Sequence, residues 1–164
     1  MPITSAEVFG ALREPEEAEL EPVFSPLGEP RFARGLETIY EGYLLHYGRP
    51  RRYDALEGDA ALVLGDYFYA QGLARIASFG DVDAVSDLAE LISLCAQLRA
   101  DSRPGDGAAW AASAALLGQG RLIAARHALS RDGDPGPLGV LAREAAGDGA
   151  VDQALAAHAR QMDR

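Results

Sequence analysis

Between residues 31 and 100 the apolar positions recur every three or four residues, and no useful length alternates with period two. Phe32, Leu36, Ile39, Tyr40, Tyr43, Leu44 and Tyr47 make the first stripe, which predicts a helix from about Arg31 to Tyr47. Gly48-Arg49-Pro50 stops it. A second helix is predicted from about Asp54 to Phe79. Its Leu56, Ala60, Val63, Leu64, Tyr67, Phe68, Leu73 and Ile76 cover more than one face, so burial on several sides is expected. Gly80-Asp81 ends that helix, and Asp81 or Asp83 caps a third one. Val82, Val85, Leu88, Leu91, Ile92, Cys95 and Leu98 run along it until Asp101-Ser102-Arg103-Pro104-Gly105.

The flanks have a different texture. Residues 4–13 fit a short helix capped by Thr4 or Ser5, and the Glu- and Pro-rich segment 14–30 reads as a lead-in with at most one helical turn. From 106 onward Ala and Gly dominate. Segments 107–117, 120–130, 137–146 and 149–162, separated by glycine-rich turns, predict short helices paired as antiparallel hairpins. Trp110, Leu116, Leu117, Leu122, Ile123 and Leu129 are their expected core. No fixed repeat period runs along the chain. The expectation is one all-α domain over 1–164: the lead-in 1–30, a helical bundle over 31–100, and short helical hairpins over 101–164.

Composition narrows the classes of function. The net charge is −10, which argues against nucleic acid and anionic membranes as partners. Every basic residue is an arginine. Apolar runs are interrupted well short of the ~20 residues of a membrane span, and no signal-peptide pattern opens the chain, so a cytoplasmic location is expected. Cys95 stands alone in an apolar context and reads as a core residue rather than a nucleophile. His46, His127 and His158 share no motif, which argues against a histidine metal site. Asp81, Asp83 and Asp87 sit at a helix start, where carboxylates suit free N–H groups and the dipole.

The turn Gly48-Arg49-Pro50 and the following Ala61-Leu62-Val63-Leu64-Gly65-Asp66-Tyr67-Phe68-Tyr69-Ala70 resemble the trans-prenyl diphosphate synthases. That family carries a helix with a DDxxD motif, an Arg-Arg-Gly-x-Pro turn, and a buried helix with a Gly-Asp-Tyr-Leu-like core. Gly48 and Gly65 lie 17 residues apart, as the family pattern requires. In that frame the DDxxD slot falls on Glu37-Thr38-Ile39-Tyr40-Glu41 and the Arg-Arg slot on His46-Tyr47. The likeness covers residues 36–80 well, the next helix loosely and the last part of the chain not at all.

What the resemblance implies is a first half of the isoprenoid-synthase fold with degraded chemistry. In the family, aspartates at i and i+4 aim into one cavity and hold magnesium that bridges an allylic diphosphate. Here Glu37 and Glu41 keep the spacing and the charge, as a candidate Mg2+ site, while Thr38 cannot supply a carboxylate. Arg49, Arg51 and Arg52, just past the turn, are the candidate diphosphate-binding residues. Asp66 and Tyr67 are expected as buried polar residues, with Asp66 paired to Arg49 or Arg51. The family's second aspartate motif and its Gly-Lys-Arg-x-Arg-Pro segment have no counterpart.

Gly65-Asp66-Tyr67, Gly72-Leu73, Gly80-Asp81-Val82-Asp83 and Leu88-Ala89-Glu90 are also similar to the small subunit of heterodimeric heptaprenyl diphosphate synthases. Those subunits lack both aspartate motifs and work beside a catalytic partner. The resemblance therefore implies a non-catalytic subunit (a pseudoenzyme without catalytic residues or an obligate cofactor). Its partner would be a catalytic prenyl diphosphate synthase subunit or a second copy as a homodimer. Its place would be isoprenoid synthesis, such as menaquinone side chains, with the second and third helices as partner surface. The alternatives are a reduced prenyltransferase using Glu37 and Glu41, and a helical interaction scaffold with no role in the pathway.

Overall fold

A computed structural model describes residues 20–53, 56 and 58–163; the predicted helix at 4–13 lies outside them. The described residues are helical and contain no strand. Two 3-10 turns, Ser25–Leu27 and Pro30–Phe32, lead into α1 (Ala33–Tyr47). Then come α2 (Asp59–Ala77), α3 (Val82–Ala100), α4 (Asp106–Ala115), α5 (Ile123–His127) with a π-helical turn Ala128–Asp132, α6 (Gly136–Ala146) and α7 (Asp148–Met162). The all-α class is as expected. No described helix is long and apolar enough to cross a membrane.

Local chemistry sets most of the boundaries. Gly48 closes α1 through its N–H on Leu44 O, and Pro50 follows. Asp81 caps α3 by accepting from Ala84 N at 2.9 Å. The end of α3 is a Schellman-type turn: Arg103 N donates to Leu98 O, and Ser102 takes φ 52°. Glycine fills that left-handed slot in most helices, so the serine carries strain.

The tight pairing of α1 with α2 comes from four glycines. Gly35 and Gly42 are seven residues apart on α1, and Gly65 and Gly72 are seven apart on α2. Antiparallel packing sets Gly42 against Gly65 and Gly35 against Gly72. A Cβ on Gly42 would stand 2.8 Å from Gly65 O, and one on Gly72 would stand 2.9 Å from Gly35 O. Backbones approach this closely only where both helices lack side chains at the crossing. The glycine of Gly65-Asp66-Tyr67 is thus a packing residue.

Around this pair one core draws on the lead-in, α1, α3 and the Ala/Gly-rich segments alike. Phe24, Tyr40, Tyr43 and Trp110 pack ring against ring, with centroids 5.1–5.7 Å apart between Trp110 and the other three. Leu116, Leu117, Leu122 and Leu129 are buried as expected, but Ile123 is 63% exposed because it opens α5 at the surface.

Two expectations for α2 fail. The helix starts at Asp59, after Gly58 at φ 66°, not near Asp54; residue 54 itself lies outside the described set. It also buries one face only. Ala61, Leu64, Gly65, Phe68, Gly72 and Ile76 face inward, while Leu62, Val63, Ala70, Ala74 and Ala77 are exposed. Apolar residues all round the helix do not mean burial all round it in a single chain.

Candidate functional site

Glu37 and Glu41 are the residues on which the family frame places its metal ligands. They project from consecutive turns of α1 and are buried, 7% and 0% exposed. The turn at Gly48-Arg49-Pro50 reverses the chain and lays Arg51 alongside both. Its Nε donates to Glu41 Oε2 at 2.8 Å and one terminal nitrogen to Glu37 Oε2 at 2.7 Å. The same nitrogen donates to Glu21 O at 2.6 Å and the other to Glu37 O at 3.2 Å. The guanidinium also lies over the Tyr40 ring, 5.1 Å from its centroid.

The remaining carboxylate oxygens are taken by backbone amides. Glu37 Oε1 accepts from Val23, Phe24 and Ser25 N–H at 2.9, 3.2 and 2.9 Å. Glu41 Oε1 accepts from Arg51 and Arg52 N–H at 2.8 and 3.2 Å. Burial alone lowers the Arg51 pKa, but the charges of Glu37 and Glu41 and their hydrogen bonds outweigh it and raise it, so the residue stays cationic. All four carboxylate oxygens have partners. The guanidinium stands between the carboxylates, where a metal would have to bind. Among the described residues, no group of three or more His, Cys, Asp or Glu side chains is placed to hold a metal ion.

The other candidate residues serve the fold in the same way. Arg49 donates through its backbone N–H to Gln161 O at 2.7 Å and through its guanidinium to Arg160 O at 2.8 Å. It thus caps the carbonyl end of α7, where a cation suits the helix dipole. Arg52 contributes its N–H to Glu41. Asp66 was expected to be buried against Arg49 or Arg51; its side chain is instead 77% exposed. The reason is the glycine pairing, which turns Gly65 toward α1 and the next residue outward. Asp66 Oδ1 lies 3.1 Å from His46 Nε2, within ion-pair reach though without hydrogen-bond alignment. Tyr67 is half-buried, and its hydroxyl accepts from the exposed Gln71 at 3.0 Å.

A second buried network went unforeseen, because its members are up to 118 residues apart. Its hub is Asp106, the first residue of α4. Asp106 Oδ2 receives the Tyr43 hydroxyl, a terminal nitrogen of Arg99, and His158 Nε2 at 3.1 Å. His158 Nδ1 lies 2.8 Å from the Tyr40 hydroxyl, and Arg99 Nε donates to the Tyr43 hydroxyl at 3.0 Å. A consistent proton assignment has Tyr40 donating to Nδ1 and Nε2–H donating to Asp106.

Electrostatics keep these groups in fixed states. Burial pushes Asp106 up, but hydrogen bonds from His158 and Tyr43 and the charge of Arg99 hold its carboxyl well below the usual range. Burial raises the Tyr40 and Tyr43 hydroxyls, and the Cys95 thiol as well, so none of them is a ready nucleophile. The network meets the surface at an open groove of about 490 Å3 lined by Leu98, Arg99, Ser102, Arg103, Pro104 and Asp106.

Asp87, expected at a helix start, forms a further internal pair. It binds Arg126 at 3.0 Å and accepts from Gly118 N at 2.8 Å, tying α3 to α5 and the preceding turn.

Glu37 and Glu41 therefore lock the lead-in and the 49–52 turn onto α1. The signal for this was in the sequence. Glu37 lies seven residues before Leu44, on the same side of α1, which is the apolar one. Compared with protein-family models, curated proteins and solved structures, the chain matches none of them.

Proposed function

We propose that the chain is a non-catalytic, prenyl-synthase-like subunit that associates with a catalytic trans-polyprenyl diphosphate synthase in isoprenoid synthesis, such as the making of quinone side chains. The observation that carries this reading is the closure of the carboxylate pair. In the family frame Glu37 and Glu41 stand where magnesium ligands are required, and here each binds Arg51 and backbone amides instead. Opening that site for Mg2+ would expose two buried carboxylates and release the lead-in from α1, a cost of several kcal/mol. A reduced prenyltransferase working through these residues is correspondingly disfavoured.

Affinity capture of the protein from its native host tests the reading, with recovery of a prenyl synthase subunit as the expected result. Its absence would count heavily against the proposal. Incubation of the purified chain with labelled allylic and isopentenyl diphosphates and Mg2+ is expected to give no product. A product that disappears in Glu37→Gln would return the chain to the enzymes. The exposed apolar face of α2 is the observation that favours the second reading, a helical interaction scaffold outside this pathway.

A further inference from the structure

The two buried networks treat their carboxylates differently. Every oxygen of Glu37 and Glu41 has a donor within the chain. At Asp106 three donors, from Tyr43, Arg99 and His158, converge on Oδ2 alone. Among the described residues nothing bonds Oδ1, and that oxygen is not shielded from solvent. Asp106 lines a groove whose volume, about 490 Å3, falls in the range of small-molecule sites. A carboxylate anchored so firmly through one oxygen holds the other in place as a preorganised acceptor.

Two arginines line the same groove. Arg99 donates through Nε to the Tyr43 hydroxyl at 3.0 Å and through one terminal nitrogen to Asp106, which leaves its other terminal nitrogen without a hydrogen bond. Arg103 pairs with no carboxylate among the described residues. Its two terminal nitrogens donate to Ser130 O and Leu129 O, each at 3.2 Å, and its Nε is left over. Neither leftover nitrogen is shielded from solvent. Those two carbonyls belong to the π-helical turn Ala128–Asp132, and the adjoining Gly133 makes room for the guanidinium: a Cβ there would stand 2.8 Å from Arg103 Nη2. Between the arginines in the chain comes the exposed Ser102, at φ 52°. A π-helical turn and a strained left-handed residue are irregularities that collect at binding sites. On a chain of net charge −10, two arginines against one aspartate give this groove a local excess of positive charge.

We propose that this groove binds a small carboxylate with a hydrogen-bond donor on the adjoining carbon, that is, an α-hydroxy or α-amino acid. The carboxylate binds the free nitrogens of Arg99 and Arg103, with the Ser102 hydroxyl as a further donor lining the groove. The ligand's hydroxyl or ammonium group donates to Asp106 Oδ1. A plain alkyl carboxylate lacks the donor that this oxygen requires. A dianion such as inorganic phosphate suits the groove less, since its second charge meets an Asp106 that its hydrogen bonds hold ionised. The groove lies past residues 36–80, which carry the sequence likeness best, so this ligand is independent of any prenyl synthase partner.

Amide NMR titration of the full chain with L-lactate, L-alanine, propanoate and inorganic phosphate tests this, each probe taken to about 20 mM, past a millimolar dissociation constant. Lactate, alanine or both are expected to give saturable shifts confined to amides around Arg99, Ser102, Arg103 and Asp106. The tighter of the two tells whether a hydroxyl or an ammonium donor is preferred. Propanoate, which lacks the donor, should bind about tenfold more weakly. Ser102→Asp sets a negative charge in the groove at a left-handed position that aspartate tolerates. It should abolish the shifts while helical circular dichroism and melting stay near those of the wild type. Shifts that do not saturate or that spread over the surface would overturn the proposal. So would propanoate or phosphate binding as tightly as lactate and alanine, or binding that survives Ser102→Asp.

Discussion

Two buried polar networks meet on α1, and they are built in opposite ways. The Glu37–Arg51–Glu41 network is local: its side chains and the amides that complete it come from residues 21–52, joined across a single turn. The Asp106 network is distant, gathering Tyr40 and Tyr43 from α1, Arg99 from α3 and His158 from α7. The local network is closed, with a partner on every carboxylate oxygen. The distant one reaches the rim of a groove through Arg99, which is only half-buried. Carboxylates at i and i+4 therefore do not by themselves make a metal site. What matters is which cation the chain brings to them, and here the next turn delivers an arginine.

The largest effect expected is at Arg51. Arg51→Met leaves two buried carboxylates without their cation and should cost about 3–5 kcal/mol, read as a lower urea midpoint at unchanged slope. Recovery of that loss by millimolar Mg2+ would break the comparison, since the pair would then behave as a metal site.

Asp106→Asn should cost about 2 kcal/mol at neutral pH, because it weakens hydrogen bonds that converge on a charge. It should also change the pH profile. Asp106 has a depressed pKa when folded, so the unfolded chain takes up its proton first as the pH falls. Its contribution is whole above the unfolded value of about 3.9 and is lost progressively below it. Stability measured from pH 6 down to pH 2 should fall less steeply in the variant; equal slopes would mean that Asp106 is not held ionised.

An effect of similar size is expected between the two networks, at Gly42. A methyl there meets Gly65 O at 2.8 Å and Tyr69 Cδ1 at 2.9 Å, so Gly42→Ala should force α1 from α2 at a cost of about 1–3 kcal/mol. If thermal melting moves by less than a degree or two, the close glycine pairing is not what holds these helices. The smallest effect has the opposite sign. Ser102→Gly relieves the left-handed strain at the end of α3 and should add about 0.5–1 kcal/mol, visible as a raised melting temperature with both networks untouched.

How far the sequence could be read depended on separation along the chain. Each described helix beyond the lead-in was legible from apolar spacing and its flanking glycine, proline or aspartate, because those signals act within a turn or two. The Asp81 cap is of this kind. The Asp106 network was not legible, since nothing local links Tyr40 to His158. Asp66 was misjudged for a related reason: an aspartate among apolar residues reads as buried until the direction of the helix's close contact is known.

By itself, the sequence determined that the described residues form helices and no strands, where those helices lie apart from the start of α2, that α1 has a buried apolar side, and that carboxylates at 37 and 41 share one side of it. These follow from backbone geometry and residue size. Only the tertiary structure decided what those carboxylates bind, which side of α2 is covered, and how four helices share one aspartate. Those outcomes depend on which distant groups compete for the same buried oxygens and the same apolar surface, and that competition is settled only when the helices pack.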